Sequence, residues 1–449
     1  MTMSQDTQSV RFRYGRLMLV SMLLVCGLSV VVSPQVQLDV CGCKNNPASL
    51  GNFDSADVST YPPGSTSPSY NSAEIPLPPD GVLVFDNFTV RERPPYVGGY
   101  SFSLRFGRNA ANTPVTLLIR GNLSLGSYSS INVAGADGVN ASTNVLGKGG
   151  LGGPGGFRGG DGAYQLVNFA TLGGAGLGPG GGAGGISNSP NNGHGAGGTF
   201  LGAPDLLPLV GGSGGGGGSS TDPSAGCAGG GGGGGGGAIL VAVNGTITFD
   251  GGSIVADGGH GGQGSYWCAS AGGGGSGGAV RILATTMTGN GSGYVYARPG
   301  AYGSVGAQNG SIRLEVLNNN FAVGNTTPLA TRSAGPGPIV NPITPTVAIT
   351  SVGGQPIPQP PQGGLGNIDL VLPAPGQTDI GLVTSGVPAG TTVNVTVKPR
   401  VGSPPITTPI VTPVTLTNCD ANGACIASVS FNLAAGAYFV EARATFQTP

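Results

Sequence analysis

The chain has 449 residues, 90 of them glycine and 36 proline, with 8 % charged and a formal net charge of −1. That balance gives no basic footprint for nucleic acid and no polybasic membrane patch, and the glycines lack the Gly-X-Y regularity of collagen. Hydrophobic residues at 38 %, gathered in short Val-, Ile- and Leu-bearing segments, supply material for a core and set the chain apart from charge-rich disordered sequences.

At the N-terminus, Arg11, Arg13 and Arg16 precede an apolar stretch from Leu17 to Val32. This is the positive region and apolar region of an export signal spanning residues 1–33. No A-x-A cleavage site is present, so a retained membrane anchor stands beside the cleaved signal as an alternative. Residues 34–75, broken by Pro, Gly, Ser and Asn as in STYPPGSTSPSYNS, read as an irregular linker.

Strand-like runs begin near Asp80 with DGVLVFDNFTV, and an internal repeat of unequal period follows. Its copies are VTLLIRGNLSLGSYSSINVAGADG from Val115, AILVAVNGTITFDGGSIVADGG from Ala238 and GGAVRILATTMTGNGSGYVYARPG from Gly277, with a fragment NGSIRLEV from Asn309. A short strand-turn-strand unit buries its apolar face only by stacking on the next copy. The expected fold class is therefore all-β: an irregular glycine-rich parallel β-helix or solenoid over residues 76–326, with polyglycine-type excursions, followed by a β-sandwich. Ile239, Val241 and Val243 would face the solenoid interior, and glycine-rich excursions would cover the opposite face carrying Leu240 and Ala242.

The excursions include GGSGGGGGSSTDPSAGCAGGGGGGGGGAIL, residues 211–240. Glycine loses the most backbone freedom on folding, so such a run is either a disordered loop or a set of segments bonded laterally to one another. GGLGGPGGF, residues 149–157, has a period of three, matching the turn of a polyproline-like helix, with Leu151 and Phe157 as anchors at its edge. Residues 327–342 read as a hinge. Residues 343–449 hold short alternating strands spaced by turn residues, as expected of a β-sandwich, with Tyr438, Val440, Ala442, Ala444 and Phe446 on one inner face.

Beyond the signal the cysteines are Cys41, Cys43, Cys227, Cys268, Cys419 and Cys425, an even number suited to an oxidising compartment. Cys419 and Cys425 enclose CDANGAC, a hairpin-like turn, and Cys227 and Cys268 would tie two glycine-rich segments together. A single CxC, Cys41 and Cys43, does not build a tetrahedral zinc site.

His194 and His260 sit in glycine loops without a GxSxG or HExxH signature. Asp137, Asp250 and Asp257 occupy turn positions where Asp accepts backbone hydrogen bonds. No phosphate-loop or calcium-repeat motif occurs. Tyr164, Trp267, Tyr294, Tyr296 and Tyr302 are candidates for stacking on sugar if they form a coplanar exposed row, with Trp267 otherwise wedged beside the bridge at Cys268. The sequons at Asn87, Asn122, Asn244, Asn290, Asn309, Asn325 and Asn394 read as surface glycan candidates in a eukaryotic secretory protein and as turn and strand chemistry in a bacterial one.

GGGGSGGAVRI from Gly272, GGGGGGGAILV from Gly231 and units ending in ADGG or AGADG resemble those of exported bacterial glycine-rich surface proteins, and more loosely the mycobacterial PGRS proteins. The C-terminal module resembles the immunoglobulin-like domains of bacterial surface proteins. The resemblance carries no assigned activity and no site residue. The expectation is a secreted or cell-surface structural or adhesive protein without catalysis, cofactor or metal. Its contacts would be with polysaccharide, cell-envelope components or copies of itself, and with a membrane only through an uncleaved N-terminal segment. A polysaccharide-binding or polysaccharide-degrading β-helix is the alternative.

Overall fold

The computed structural model describes residues 39–449 except 67–68, 70, 93–100, 164–171, 187–192, 221–225, 302–305, 338, 340–345, 360–368, 400–409, 421–423 and 445–449. The expected export segment, Tyr164, Tyr302 and Phe446 lie outside the described residues.

The described chain is all β apart from two 3-10 turns. The strands of its first part are β1 (Phe53–Asp54), β2 (Ser72–Pro76), β3 (Val82–Phe85), β4 (Phe88–Val90), β5 (Phe102–Gly107), β6 (Val115–Ile119), β7 (Leu123–Leu125), β8 (Ser129–Asn132), β9 (Ala238–Phe249), β10 (Ser253–Val255), β11 (Ala279–Gly289), β12 (Tyr294–Tyr296), β13 (Ser311–Asn319), β14 (Thr326–Thr327) and β15 (Thr331–Ala334). They form two parallel sheets: a nine-stranded one in which β9 lies between β6 or β7 and β11, followed by β13 and β15, and a six-stranded one ordered β14-β12-β10-β8-β5-β2.

The three repeat copies stack in register. Val115 pairs with Ile239 and Ile239 with Val280, while in the second sheet Ile131, Ile254 and Val295 align. Alternate residues from both sheets, including Leu117, Val241, Ile282, Ile131 and Ile254, meet in one buried cluster. Phe53 stacks on Phe88 at one end, ring centroids 4.4 Å apart, and Phe249 tilts against Phe321 at the other. Each of these fully buried side chains stabilises the fold by roughly 1.5–3 kcal/mol.

Two boundaries differ from expectation. The polar stretch taken as linker supplies β1, β2 and the fully buried Phe53, and the segment taken as hinge supplies β15, paired with β13. Isolated aromatic or alternating residues among Ser, Pro and Gly gave too short a pattern to register as strand.

The second face of the nine-stranded sheet is covered only in part by a glycine-rich excursion, and by its apolar residues and not its glycines. Glycine has no side chain to fill an apolar surface, and that face, with Ala238, Leu240, Ala242, Ala279 and Leu283, is packed by Val40, Cys41 and Cys43 from the N-terminal side and by Leu206 and Leu209, apolar residues carried within the excursion between β8 and β9. On the same face Arg281 and Arg313 donate to the buried carboxylate of Glu315 at 2.8 and 2.6 Å, and the Gly337 amide donates to its other oxygen at 2.7 Å. Burial alone would raise the Glu315 carboxyl; the hydrogen bonds from Arg281, Arg313 and Gly337 outweigh it and hold the group below the ordinary carboxylate range.

The glycine segments prolong the strands end-on. Residues 228–237 lead into β9, 270–278 into β11 and 306–310 into β13, and the ladder runs on without a break, the Ala279 amide donating to Gly237 and the Ser311 amide to Gly278. In the run 229–237 every amide donates and every carbonyl accepts, successive residues turning to different neighbours and every third residue to the same one. Gly229, Gly232 and Gly235 donate to Ala163, Gly160 and Phe157; Gly230, Gly233 and Gly236 to Ser270, Gly273 and Ser276; Gly231, Gly234 and Gly237 to Val139, Ala136 and Val133. Their carbonyls accept in the same threefold rotation from residues 147–153, from 212–218, and from Gly262, Gly259 and Ala279. These neighbours also bond to one another in a closed ring around the run, as Gly159 to Gly150, Gly160 to Gly215, Gly273 to Gly216, Gly272 to Gly262, Gly135 to Asp257 and Ala136 to Leu151 illustrate. This is a bundle of three-residue-per-turn helices, the arrangement in which a backbone without internal bonds satisfies itself laterally.

Glycine is needed here for space and not for backbone angle, since none of residues 229–237 has positive φ. A methyl on Gly233 would land on the Gly259 carbonyl, far closer than the 3.0 Å that real side-chain carbons respect, and every other glycine of the run meets backbone in the same way. Leu151 lies on the outside of the bundle and faces solvent instead of anchoring it, while Phe157 is half-buried against Gly178.

The remaining strands, β16 (Thr346–Val352), β17 (Gln355–Pro356), β18 (Gly376–Ser385), β19 (Thr392–Pro399), β20 (Ile410–Thr415), β21 (Asn418–Cys419), β22 (Cys425–Leu433) and β23 (Tyr438–Ala444), form two antiparallel sheets, β17-β16-β18-β22-β21 and β20-β19-β23. The sheets share an apolar core of Ile380, Leu382, Val393, Val395, Val397 and Phe431, against which Tyr438, Val440, Ala442 and Ala444 pack.

Two outcomes follow. Gly233→Ala should lower unfolding stability by at least about 3 kcal/mol, because backbones must separate and give up bonds. Gly324→Ala, where nothing stands within 4 Å, should stay within about 0.5 kcal/mol; equal effects in urea titrations would contradict the close-packed bundle. Glu315, with its folded pKa lowered, contributes stability that is complete above the unfolded value of about 4.3 and is lost as pH falls through the folded one. Glu315→Gln should therefore cost about 3–5 kcal/mol at pH 7 and show a shallower acid-side loss than the parent, measured by urea unfolding across pH.

Candidate functional site

At the edge of the bundle a segment lacks a full set of neighbours, and polar side chains take the missing place. Asp137 Oδ1 accepts from the His260 amide at 2.7 Å, Asn140 Oδ1 from the Gln263 amide at 2.8 Å, Asp257 Oδ1 from the Arg298 amide at 2.7 Å and His260 Nδ1 from the Ala301 amide at 2.8 Å. His194 Nδ1 likewise accepts from the Ala271 amide at 3.2 Å. Both histidines and two of the three candidate aspartates thus bond to backbone of a neighbouring segment. The third, Asp250, accepts from the Asn290 side chain at 2.6 Å. A spacing of three in D137-x-x-N140 and D257-x-x-H260 was the readable signal for this role, hidden by reading each carboxylate as the cap of its own turn.

Arg298 bridges Asp257 at 2.6 Å and lies over the Tyr296 ring, 4.0 Å from its centroid. The hydrogen bond to Asp257 raises the guanidinium pKa and keeps it charged. Tyr294 and Tyr296 are parallel to 9° but stacked on each other at 5.4 Å. Tyr296 therefore has one face against Tyr294 and the other against Arg298, so the two rings are stacked on each other and do not form the coplanar row that a sugar platform needs.

Sequon asparagines are also engaged. The Asn87 side chain donates to Asn52 and accepts from the Asn122 amide, both at 2.9 Å, and Asn122 accepts from the Thr246 amide at 2.8 Å, a ladder across successive coils. Asn244 is buried and donates to Asp39 at 3.0 Å. Asp39, Cys41 and Cys43 lie within 4.8 Å of one another. The two sulfurs are joined to each other, and Asp39 Oδ1 already accepts from Cys43, Lys44 and Asn244, so this donor set is spent on holding the chain against the sheet.

The end of the bundle remote from the sheets is where chemistry remains available. Cys227 and Cys268 are bridged and buried there. The Ser265 amide donates to the Ala228 carbonyl at 2.9 Å, Ser265 Oγ accepts from the Ala228 amide at 2.8 Å, and the Asn144 amide donates to the Gly226 carbonyl at 3.0 Å. The Tyr266 and Thr143 hydroxyls are 2.9 Å apart. On this knitted surface Trp267 is 78 % exposed. The expectation that it wedges beside the bridge is thus corrected: Cys268 points inward at its neighbour and Trp267, next along an irregular turn, points out. The third bridge joins Cys419 and Cys425, register partners in the β21–β22 hairpin.

Opening the Cys227–Cys268 bridge, which closes a loop of 41 residues, should cost about 3–4 kcal/mol. Amide exchange in residues 226–237 should accelerate more than in β9; uniform acceleration would contradict a bridge that acts on this end of the bundle.

No family model matches the chain, and no curated relative and no solved structure matches it either.

Proposed function

We propose that this chain is an exported surface or matrix protein with a structural or adhesive role and no chemistry of its own. In this reading the two parallel sheets wind as an irregular β-helix, and the glycine bundle is a stiff extension of its coils. The antiparallel module from β16 onward is an immunoglobulin-like spacer or docking unit. The observation that carries the reading is the closed ring of backbone bonds around residues 229–237. It converts a composition with almost no side chains into a rigid arm that holds a bridged, aromatic-bearing surface away from the core.

The alternative of polysaccharide cleavage needs two carboxylates free to face a substrate, one as acid and one as base or nucleophile. Asp137 and Asp257 each commit an oxygen to a backbone amide, and Asp257 is also ion-paired. Three cysteine bridges favour an oxidising compartment.

The test is location with topology. Native cells are fractionated, intact cells are treated with protease, and the intact mass is measured with and without reductant. Recovery at the surface or in the medium, with a mass increase on reduction, is expected. Cytoplasmic recovery with free thiols overturns the reading.

A further inference from the structure

We propose that the bridged end of the glycine bundle binds neutral glycans, with the Trp267 indole as the stacking surface. The proposal rests on the adhesive reading above and names its ligand class.

Tryptophan is highly buried on average, yet the chain's single Trp is 78 % exposed. That exposure is not the result of a loose turn. Tyr266 on one side is tied to Thr143 through its hydroxyl, Cys268 on the other is bonded to Cys227, and Ala269 pairs with Ser220. A large apolar ring is thus held in solvent by neighbours that are fixed. Holding it there forgoes burial free energy, and an ordered aromatic kept wet is the type of group that anchors an interface.

The surroundings select the ligand. Residues 139–146 and 262–270 contain no charged side chain. The two segments tied together beside the indole carry Ser142, Thr143, Asn144, Gln263 and Ser265; the Thr143 hydroxyl is shared with Tyr266 and Ser265 Oγ accepts from the Ala228 amide, and each hydroxyl keeps further hydrogen-bonding capacity. Such a rim suits partners that both donate and accept, and it offers no counter-charge to carboxylate, sulfate or phosphate. A neutral pyranose meets both requirements, since its C–H face is polarised positively against the negative face of the indole while its hydroxyls reach the rim. The turn is the better place for this than the Tyr294–Tyr296 pair, where Tyr296 lies between Tyr294 and Arg298 and Tyr294, at 37 %, is much less exposed than Trp267.

The experiment uses the full exported chain. Retention is measured on immobilised neutral oligosaccharides of glucose, galactose, mannose and N-acetylglucosamine, with acidic glycans and phosphatidylcholine vesicles as the other arms. Because there is one Trp, its emission reports the site directly. Expected are retention on at least one neutral oligosaccharide, a change in indole emission on titration with it, and binding weaker by at least about ten-fold in Trp267→Ala. Trp267→Phe should fall between, with thermal unfolding unchanged in both variants. Equal retention by parent and Trp267→Ala, binding confined to acidic glycans or vesicles, or no retention on any neutral glycan overturns the proposal. Attachment of the same proteins to the native cell surface separates the two levels: attachment that survives Trp267→Ala leaves the adhesive reading standing without this site, whereas a parent that does not attach removes both.

Discussion

Backbone can hydrogen-bond to neighbours on all sides only where no Cβ stands between the chains, and the glycine bundle is built on that exclusion. Ordering a residue costs about 1–2 kcal/mol, and one donated bond returns a net of about 0.5–1.5 kcal/mol. A bundle with one donated bond per residue is therefore close to break-even and does not support itself. The apolar interior between the two sheets supplies the surplus: Ile239, Val241, Ile282 and Ile254 fix the strands from which the glycine segments extend. The order of dependence runs from side-chain burial to strand placement to a backbone lattice that would not form alone.

Much of the strand architecture was legible because apolar alternation carries phase. The alignment of Val115, Ile239 and Val280 follows from copies whose Val and Ile positions match. The period of three in residues 149–157 likewise marks a three-residue turn, and these residues do bond laterally, as Gly150 to Gly232 and Gly153 to Gly235. An uninterrupted run such as 229–237 has no phase to read, because every residue is the same. Its order lies in contacts to segments up to about a hundred residues away, which composition does not encode. The outer cover of the nine-stranded sheet was hidden for a different reason: Val40 and Cys41 on one side and the proline-broken apolar stretch LGAPDLLPLV, residues 201–210, on the other show no strand period, and only tertiary structure brings them together.

The same exclusion sorts the chemistry of the molecule. Side chains that cannot enter the bundle collect on its rim and at its turns. On the rim, Asp137, Asn140, Asp257 and His260 stand where a neighbouring chain is missing, and their acceptor atoms replace its carbonyls. Residue types that suggest catalysis when read singly are here substitutes for backbone. At the far end Ser265 Oγ serves the Ala228 amide in the same way and the Thr143 and Tyr266 hydroxyls meet across segments, and it is the Trp267 indole, next along the chain from Tyr266, that is turned out to solvent.

Register is the remaining problem, since a glycine run can slip by one residue without a side chain to oppose it. The structure answers it at both ends. At the sheet, Ala238 pairs with Ala279, an offset of 41 (279 − 238); at the far end the bridged cysteines are also 41 residues apart (268 − 227). The runs between are therefore of equal length, and a slip of either one would have to break the bridge or move Ile239 out of the core. A second constant offset, 123, links Ser130 to Ser253 in the sheet (253 − 130), Asp137 to His260 and Asn140 to Gln263 along the rim, and Thr143 to Tyr266 at the tip. One register thus passes unchanged from packed valines and isoleucines, through glycine-rich segments, to the turn that holds Trp267. The bridge therefore does more than restrict the unfolded chain: it locks the far end to the count set by the sheet and so fixes where the indole stands.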